Sequence, residues 1–197
     1  VFLDENQNGR FDGADQPIEG ARLRQSGSLS KETDKNGVTF IPDLSSYRPA
    51  DITIDLGSLE DPFWIPASAG VAVMPRPGKS VLLEFPVIET GEIDGTVFLK
   101  RGATVNGASN VELQLLNTFR IVVQKTKTAF DGFYLFTNVP PGRYFVRVSP
   151  DQSKRLNLKQ STDNKAVIEG NGDVVSGVNF TIERQKEPEE QKEIEHD

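Results

Sequence analysis

The sequence predicts an all-β protein made of two tandem modules. Three observations carry that expectation. Glycine and proline, 17 and 12 of 197 residues, break the chain into short runs. Within those runs every second side chain is apolar, as in Asp51-Ile52-Thr53-Ile54-Asp55-Leu56 and Tyr144-Phe145-Val146-Arg147-Val148. Period two turns those side chains to one face of a strand, whereas no segment of helical length carries a clear 3.6-residue period. The chain also repeats itself at about 95 residues, a spacing that means tandem modules because solenoid repeats run at roughly 20–50.

The elements follow in order. Val1-Phe2-Leu3 opens the first module, and Val97-Phe98-Leu99 opens the second. A loop leads to Gly20-Ala21-Arg22-Leu23, matched by Asn110-Val111-Glu112-Leu113. Next come tight turns at Asn36-Gly37 and Asp131-Gly132, where Gly takes φ > 0 freely and the Asx side chain supports the bend. Each turn should launch a strand, Val38-Thr39-Phe40 in one module and Phe133-Tyr134-Leu135 in the other. Pro140-Pro141-Gly142 launches Tyr144–Val148, and Leu83-Glu84-Phe85 and Val178-Asn179-Phe180 close the two modules. The boundaries are placed at 1–90, 91–184 and 185–197. Val1 falls inside a strand, so the chain reads as a piece of a longer protein.

Composition removes several function classes. Net charge is −7, which argues against nucleic acid or anionic lipid as partners. No apolar run reaches the roughly 18 residues of a membrane-spanning helix, so no direct membrane insertion is expected. The last stretch, Gln185–Asp197, sets two lysines against six acidic residues and lacks aromatics, the composition of a disordered acidic tail. Cysteine is absent and the one histidine, His196, lies in that tail. Disulfides, thiolate metal sites and histidine-based triads are therefore excluded, and no enzyme activity is expected.

Residues 95–183 resemble a carboxypeptidase-regulatory-like, or prealbumin-like, domain. The likeness rests on Gly95-Thr96-Val97, on Thr128-x-x-Asp131-Gly132-Phe133-Tyr134-Leu135-Phe136-x-Asn138-Val139-Pro140-Pro141-Gly142-x-Tyr144-x-Val146, and on Val178-Asn179-Phe180. It implies a Greek-key, immunoglobulin-like β-sandwich without a peptidase centre. The run from Val1 to Gly20 is similar to the B-type repeats of serine-aspartate-repeat surface adhesins, a resemblance that implies the same fold and a calcium ion in the loop. Thr33-Asp34-x-x-Gly37, Ile41-Pro42-x-Leu44-x-x-Tyr47, Ile52-x-Ile54-Asp55 and Met74-Pro75-Arg76-Pro77-Gly78-x-x-Val81-x-x-x-Phe85, within residues 33–87, resemble the C-terminal region of outer-membrane fimbrial ushers. That region is periplasmic and holds chaperone–subunit complexes.

The loop Asp4–Asp15 reads independently as a twelve-residue calcium loop. Asp4, Asn6 and Asn8 occupy positions 1, 3 and 5, Gly9 occupies the sharp-turn position 6, and Arg10 offers its carbonyl at 7. Asp12 sits at position 9 and Asp15 at 12. The Asp in place of a longer Glu, and two neutral Asn ligands, point to affinity of about 10⁻⁵–10⁻³ M. Phe11 is expected to tie the loop to the core. Lys100–Gly107, the matching stretch of the second module, has too few carboxylates for calcium.

Weaker signals remain. Lys100, Glu112 and Asn179 resemble the isopeptide trio of collagen-adhesin B-type domains, but alternation turns Lys100 and Asn179 outward. Tyr47, Phe63 and Trp64 are candidate contacts for a partner or a sugar. Asp34 and Asp131 are read as turn residues. The expected function is a calcium-stabilised, non-catalytic structural and protein-interaction module of a bacterial surface or outer-membrane assembly protein, in an extracytoplasmic setting. Its expected partner is a surface or pilus-assembly component. An usher-like periplasmic platform and a carbohydrate-binding accessory module of a secreted enzyme are the alternatives.

Overall fold

The computed structural model describes residues 1–159, 162–170 and 172–185. The acidic tail expected over 185–197 lies outside the described residues apart from Gln185. Among the described residues the chain is all-β, two tandem Greek-key sandwiches of the prealbumin-like type, with one short α-helix. Contacts divide it into two compact units. One holds Val1–Glu92 with Thr137–Gly142 and Ile168–Val174, and the other holds Ile93–Phe136, Arg143–Val167 and the described residues from Val175 to Gln185.

The first module contributes eight strands: β1 (Phe2–Leu3), β2 (Gln16–Pro17), β3 (Leu23–Gln25), β4 (Ser28–Leu29), β5 (Ala50–Ile54), β6 (Trp64–Pro66), β7 (Val71–Val73) and β8 (Pro86–Glu89). They form two sheets, β2-β1-β8-β6 and β4-β3-β5-β7. β1 pairs antiparallel with β2 and parallel with β8. Alternation explains the core: Leu3, Leu23, Ile52, Ile54, Phe85 and Val87 are buried together, and Asp51, between buried Ala50 and Ile52, faces water.

The second module adds β9 (Gly91–Arg101), β10 (Thr104–Gly107), β11 (Glu112–Leu116), β12 (Val122–Lys127), β13 (Phe133–Val139), β14 (Gly142–Val148), β15 (Asn164–Ile168), β16 (Val174–Val175) and β17 (Phe180–Glu183). One sheet runs β10-β9-β13 with β16 and β17 also on β9, and the other runs β12-β11-β14-β15. β17 lies parallel to β9, with Phe180 opposite Val97, as β8 lies parallel to β1.

The repeat extends to individual hydrogen bonds. Thr33 is buried, accepts from the Ala21 N–H (2.9 Å) and donates to the Ile18 carbonyl (2.7 Å). Thr128 does the same with the Val111 N–H (2.9 Å) and the Ala108 carbonyl (2.5 Å). The Val1 nitrogen donates to the Gly37 carbonyl (2.7 Å) and the Val97 N–H to that of Gly132 (2.9 Å). Ser58 Oγ, in a short 3₁₀ turn (Leu56–Ser58), accepts from the Arg22 N–H, and Gln152 Oε1 accepts from that of Glu112.

Two expectations change. Gln152 sits on a helix, α1 (Pro150–Arg155), that no period announces because six residues span less than two turns. Its cues are end signals: Pro150 at the first position, Asp151 in the first turn, Lys154 and Arg155 in the last. Secondly, the turn at Gly37 does not launch a strand. Val38–Leu44 belongs to no strand, whereas its counterpart after Gly132 is β13. A strand needs a ladder partner, and β1 is already flanked by β2 and β8.

Candidate calcium site and exposed surface

The loop between β1 and β2 is drawn inward by Asp4, which is buried at the end of β1. Its two carboxylate oxygens cap the loop's first turn, accepting from the N–H groups of Asn8 (3.0 Å) and Gly9 (2.8 Å). Asn6 Oδ1 accepts from the Asn8 N–H (3.0 Å), and Asn8 Oδ1 from the Arg10 N–H (2.7 Å). These are successive Asx turns, the local geometry that winds short polar side chains toward one point. Gln7 and Gly9 take φ of 56° and 75°, so the glycine at position 6 occupies the left-handed region that the loop pattern anticipates.

The far half closes on the near half through Asp12. Its Oδ2 accepts from both carboxamide nitrogens, Asn6 Nδ2 (3.1 Å) and Asn8 Nδ2 (2.7 Å), and its Oδ1 from the Ala14 N–H (2.9 Å). These hydrogen bonds, the Ala14 N–H foremost, hold the Asp12 carboxyl below its ordinary value. Asp15 ties the loop ends together, accepting from the N–H groups of Asp12 (2.8 Å) and Glu5 (3.2 Å).

Asp4, Asn6, Asn8, Asp12 and Asp15 thus lie on one closed hydrogen-bonded loop, and this hard-oxygen set fits the chemistry of calcium. Among the described residues, no three acidic side chains cluster closely enough to hold a metal by themselves. The Asn oxygens and the Arg10 carbonyl are needed to complete a shell, and the carboxamide nitrogens that now face Asp12 must yield to it. Phe11 stacks edge-on against Phe2, with ring centroids 5.3 Å apart, but stays half exposed instead of entering the core. In the second module the equivalent stretch is a tight β9–β10 hairpin, with Arg101 opposite Thr104.

The remaining candidates separate. Lys100 pairs with Glu183 (3.1 Å), Glu112 with Lys125 (3.7 Å), and Asn179 Oδ1 accepts from the Thr96 N–H (2.8 Å), so the isopeptide trio is not assembled. Two lysines, Lys159 and Lys100, hold the Glu183 carboxyl low. Asp34 and Asp131 cap their own turns, Asp34 Oδ1 accepting from Asn36 and Val38 N–H and Asp131 Oδ1 from that of Phe133. Trp64 is partly buried against the first module's core, while Tyr47 is 68% exposed and Phe63 is 38% exposed. Sequence reading missed the apolar surface of Val38, Phe40, Val81 and Leu82, because the alternation of Val38 and Phe40 suggested a buried strand face.

Residues 91–190 match the family described as the second β-sandwich domain of BOS complex subunit NOMO1-like proteins. The chain belongs to this NOMO1-like domain family. No curated protein matches. Similar solved structures include the TIE protein of Bacillus anthracis, at 17% identity over 86% of this chain and 31% of that one, with TM-score 0.39. The minor pilin GBS52 of Streptococcus agalactiae is similar at 14% identity over 92% of this chain and 90% of that one, TM-score 0.45. The shaft pilin SpaA of Lactobacillus rhamnosus GG is similar at 8% identity over 88% and 91%, TM-score 0.41. These likenesses carry no functional argument. The NOMO1-like match covers the second module, so the Asp4–Asp15 loop, the Val38–Leu44 segment and the exposed aromatics lie outside it. Among the described residues, no helix is long and apolar enough to cross a membrane.

Proposed function

We propose that this chain is a non-catalytic structural and protein-interaction module of an extracytoplasmic protein, and that its first sandwich is stiffened by one calcium ion in the Asp4–Asp15 loop. The observation that carries the calcium reading is the closure of five oxygen-bearing side chains on one loop around Asp12, with Gly9 in the left-handed turn. An ion there neutralises Asp4, Asp12 and Asp15 and pins a long loop to the end of β1. Modest affinity suits calcium-rich surroundings outside the cytoplasm. The assembly role draws support from the family description, which is of a subunit of a complex.

The test is melting temperature and calcium titration on the same chain. Calcium at about a hundred times its dissociation constant stabilises a folded site by roughly 3 kcal/mol, so melting should rise by several degrees over chelator. A shift below about one degree counts against the site. Asp12→Ala removes an exposed ligand without unpacking the core and should abolish the shift. Asp4→Ala should abolish it too but also uncaps the first turn.

A further inference from the structure

In the second module β12 ends its sheet. It pairs with β11 on one side, and among the described residues no strand pairs its other side. The ladder shows which backbone groups face that open side. The Thr128 N–H donates to the Val111 carbonyl (3.0 Å), and the Ser149 N–H, just past β14, donates to that of Glu112 (2.8 Å). Thr128 thus turns its backbone toward β11, and Thr126, opposite Leu113, does the same by alternation. Glu112, opposite Lys127, turns its own carbonyl away to β14. The N–H and C=O groups of Lys125 and Lys127 therefore point to the open edge.

The sheet face beside that edge is basic. Lys125 lies opposite Gln114 and Gln114 opposite Arg147, whose guanidinium donates to Gln114 Oε1 (2.9 and 3.0 Å). Alternation along β14 and β15 puts Arg143 and Lys165 on the same outer face. Arg120, in the β11–β12 turn, stacks over the Phe145 ring (3.7 Å to its centroid) and pairs with Asp163. Lys125 reaches Glu112 only at 3.7 Å, with 58% of its side chain exposed. Residues 91–184 hold 12 lysines and arginines against 9 acids, in a chain whose net charge is −7.

Lysines on an edge strand discourage self-pairing, and that alone accounts for Lys125 and Lys127. It does not account for the basic side chains that continue onto β14 and β15. Nor does it account for Phe119, Ile121 and Val123 at the start of the edge, exposed by 82%, 61% and 51%, which invite a partner. A second copy of this edge brings only further lysines, and like charges across a ladder are destabilising. A strand with carboxylates at every second residue supplies what the edge lacks, main-chain partners along β12 and opposite charge beside both lysines.

We propose that β12 is a docking edge for an extended acidic segment of a partner protein. The segment adds a strand to the sheet, with alternate carboxylates beside Lys125 and Lys127 and an apolar residue against Val123. This names the partner chemistry of the protein-interaction role given above, and rests on that reading but not on the calcium loop.

The test titrates the full chain, in chelator, with a capped eight-residue peptide of alternating Glu and Val. A Lys–Val counterpart and a scrambled Glu–Val sequence are the controls, and amide exchange is followed by NMR. The Glu–Val peptide at saturation should slow exchange at Lys125 and Lys127 by about fivefold or more. Joint reversal by Lys125→Glu and Lys127→Glu should weaken that peptide by about tenfold and admit the Lys–Val peptide instead. No protection by the Glu–Val peptide overturns the proposal, and if heparin then binds, the face recognises a polyanion and not a strand. A calcium-dependent melting shift that survives this failure leaves the calcium-stiffened module standing. Equal protection of the unaltered chain by either control peptide overturns the proposal too. So does protection that grows with protein concentration without peptide, because the occupant is then a second copy. Binding seen only in a chain ended at Gln185 also overturns it, because residues 186–197 then hold the edge.

Discussion

Gly37 and Gly132 sit at equivalent close approaches in the two sandwiches. Their φ values are 70° and 89°, and a Cβ added at either would fall 2.2 Å from the Val1 carbonyl oxygen or 2.4 Å from that of Val97. Backbone cannot retreat there without breaking the turn, so Gly132→Ala should cost more than about 2 kcal/mol in urea unfolding. Thr128 is the second residue-scale anchor. Thr128→Val keeps the shape but orphans the Val111 N–H and the Ala108 carbonyl, and should cost about 1–3 kcal/mol. Titration separates two pH limbs. Asp12 and Asp34 are held below the ordinary aspartate value of 3.8 by hydrogen bonds. Depressed carboxyl values add stability above that pH, which is lost as pH falls through the folded-state values. Tyr134, buried with its hydroxyl donating to the Val178 carbonyl (2.5 Å), is raised by burial above its ordinary 10.0, and Tyr144 is raised by burial as well. Raised phenols add stability below pH 10 that is lost on further alkalinisation, so a melting curve against pH should fall above that point. Tyr134→Phe should flatten part of the alkaline fall, read by calorimetry at pH 8 and about 11.

At the scale of elements, the two modules fill the same topological positions with different chemistry. The β1–β2 connection is a polar loop of Asx turns, while the β9–β10 connection is a hairpin. The start of β3 is satisfied by Ser58 and the start of β11 by Gln152 from α1. Gln152 also donates to the Asn110 carbonyl (2.7 Å), so Gln152→Ala strips two backbone groups and should cost about 1–3 kcal/mol, with loss of order in α1 visible by NMR. Strands β3, β5, β9, β11 and β14 were legible because Leu23, Ile52, Ile54, Val97, Leu113, Leu115, Val146 and Val148 sit at alternating positions and are buried. The helix was not, since its cues are a proline and end charges with no period. The expected strand after Gly37 was legible as a pattern yet is not formed, because alternation reports which side chains want burial and not whether a ladder partner is present.

At the scale of the molecule, each compact unit has its own packed interior, Leu3, Ile52 and Val87 in one, Val97, Leu115 and Phe136 in the other. Scanning calorimetry should therefore resolve two transitions, and calcium should move only the one that contains Asp4–Asp15. A single transition shifted as a whole would show that the units unfold together. The loop geometry was legible because it is local: Asp4, Asn6, Asn8, Asp12 and Asp15 lie within twelve residues, and Asx turns and short-range hydrogen bonds gather them. The exposed face of Phe40 and Leu82 was not, since its two sides lie about forty residues apart in the sequence.

What the sequence determined by itself was the period-two alternation, the glycine turns, the 95-residue repeat and the oxygen loop, all set by residue types and short spacings. Tertiary structure alone decided which strands have neighbours, that Trp64 packs inward while Tyr47 faces water, and that Lys100, Glu112 and Asn179 find separate partners. The physical reason is that a β-ladder and a packed side chain are completed by residues far away in the chain, so a local pattern states a demand and only the assembled fold shows whether it is met.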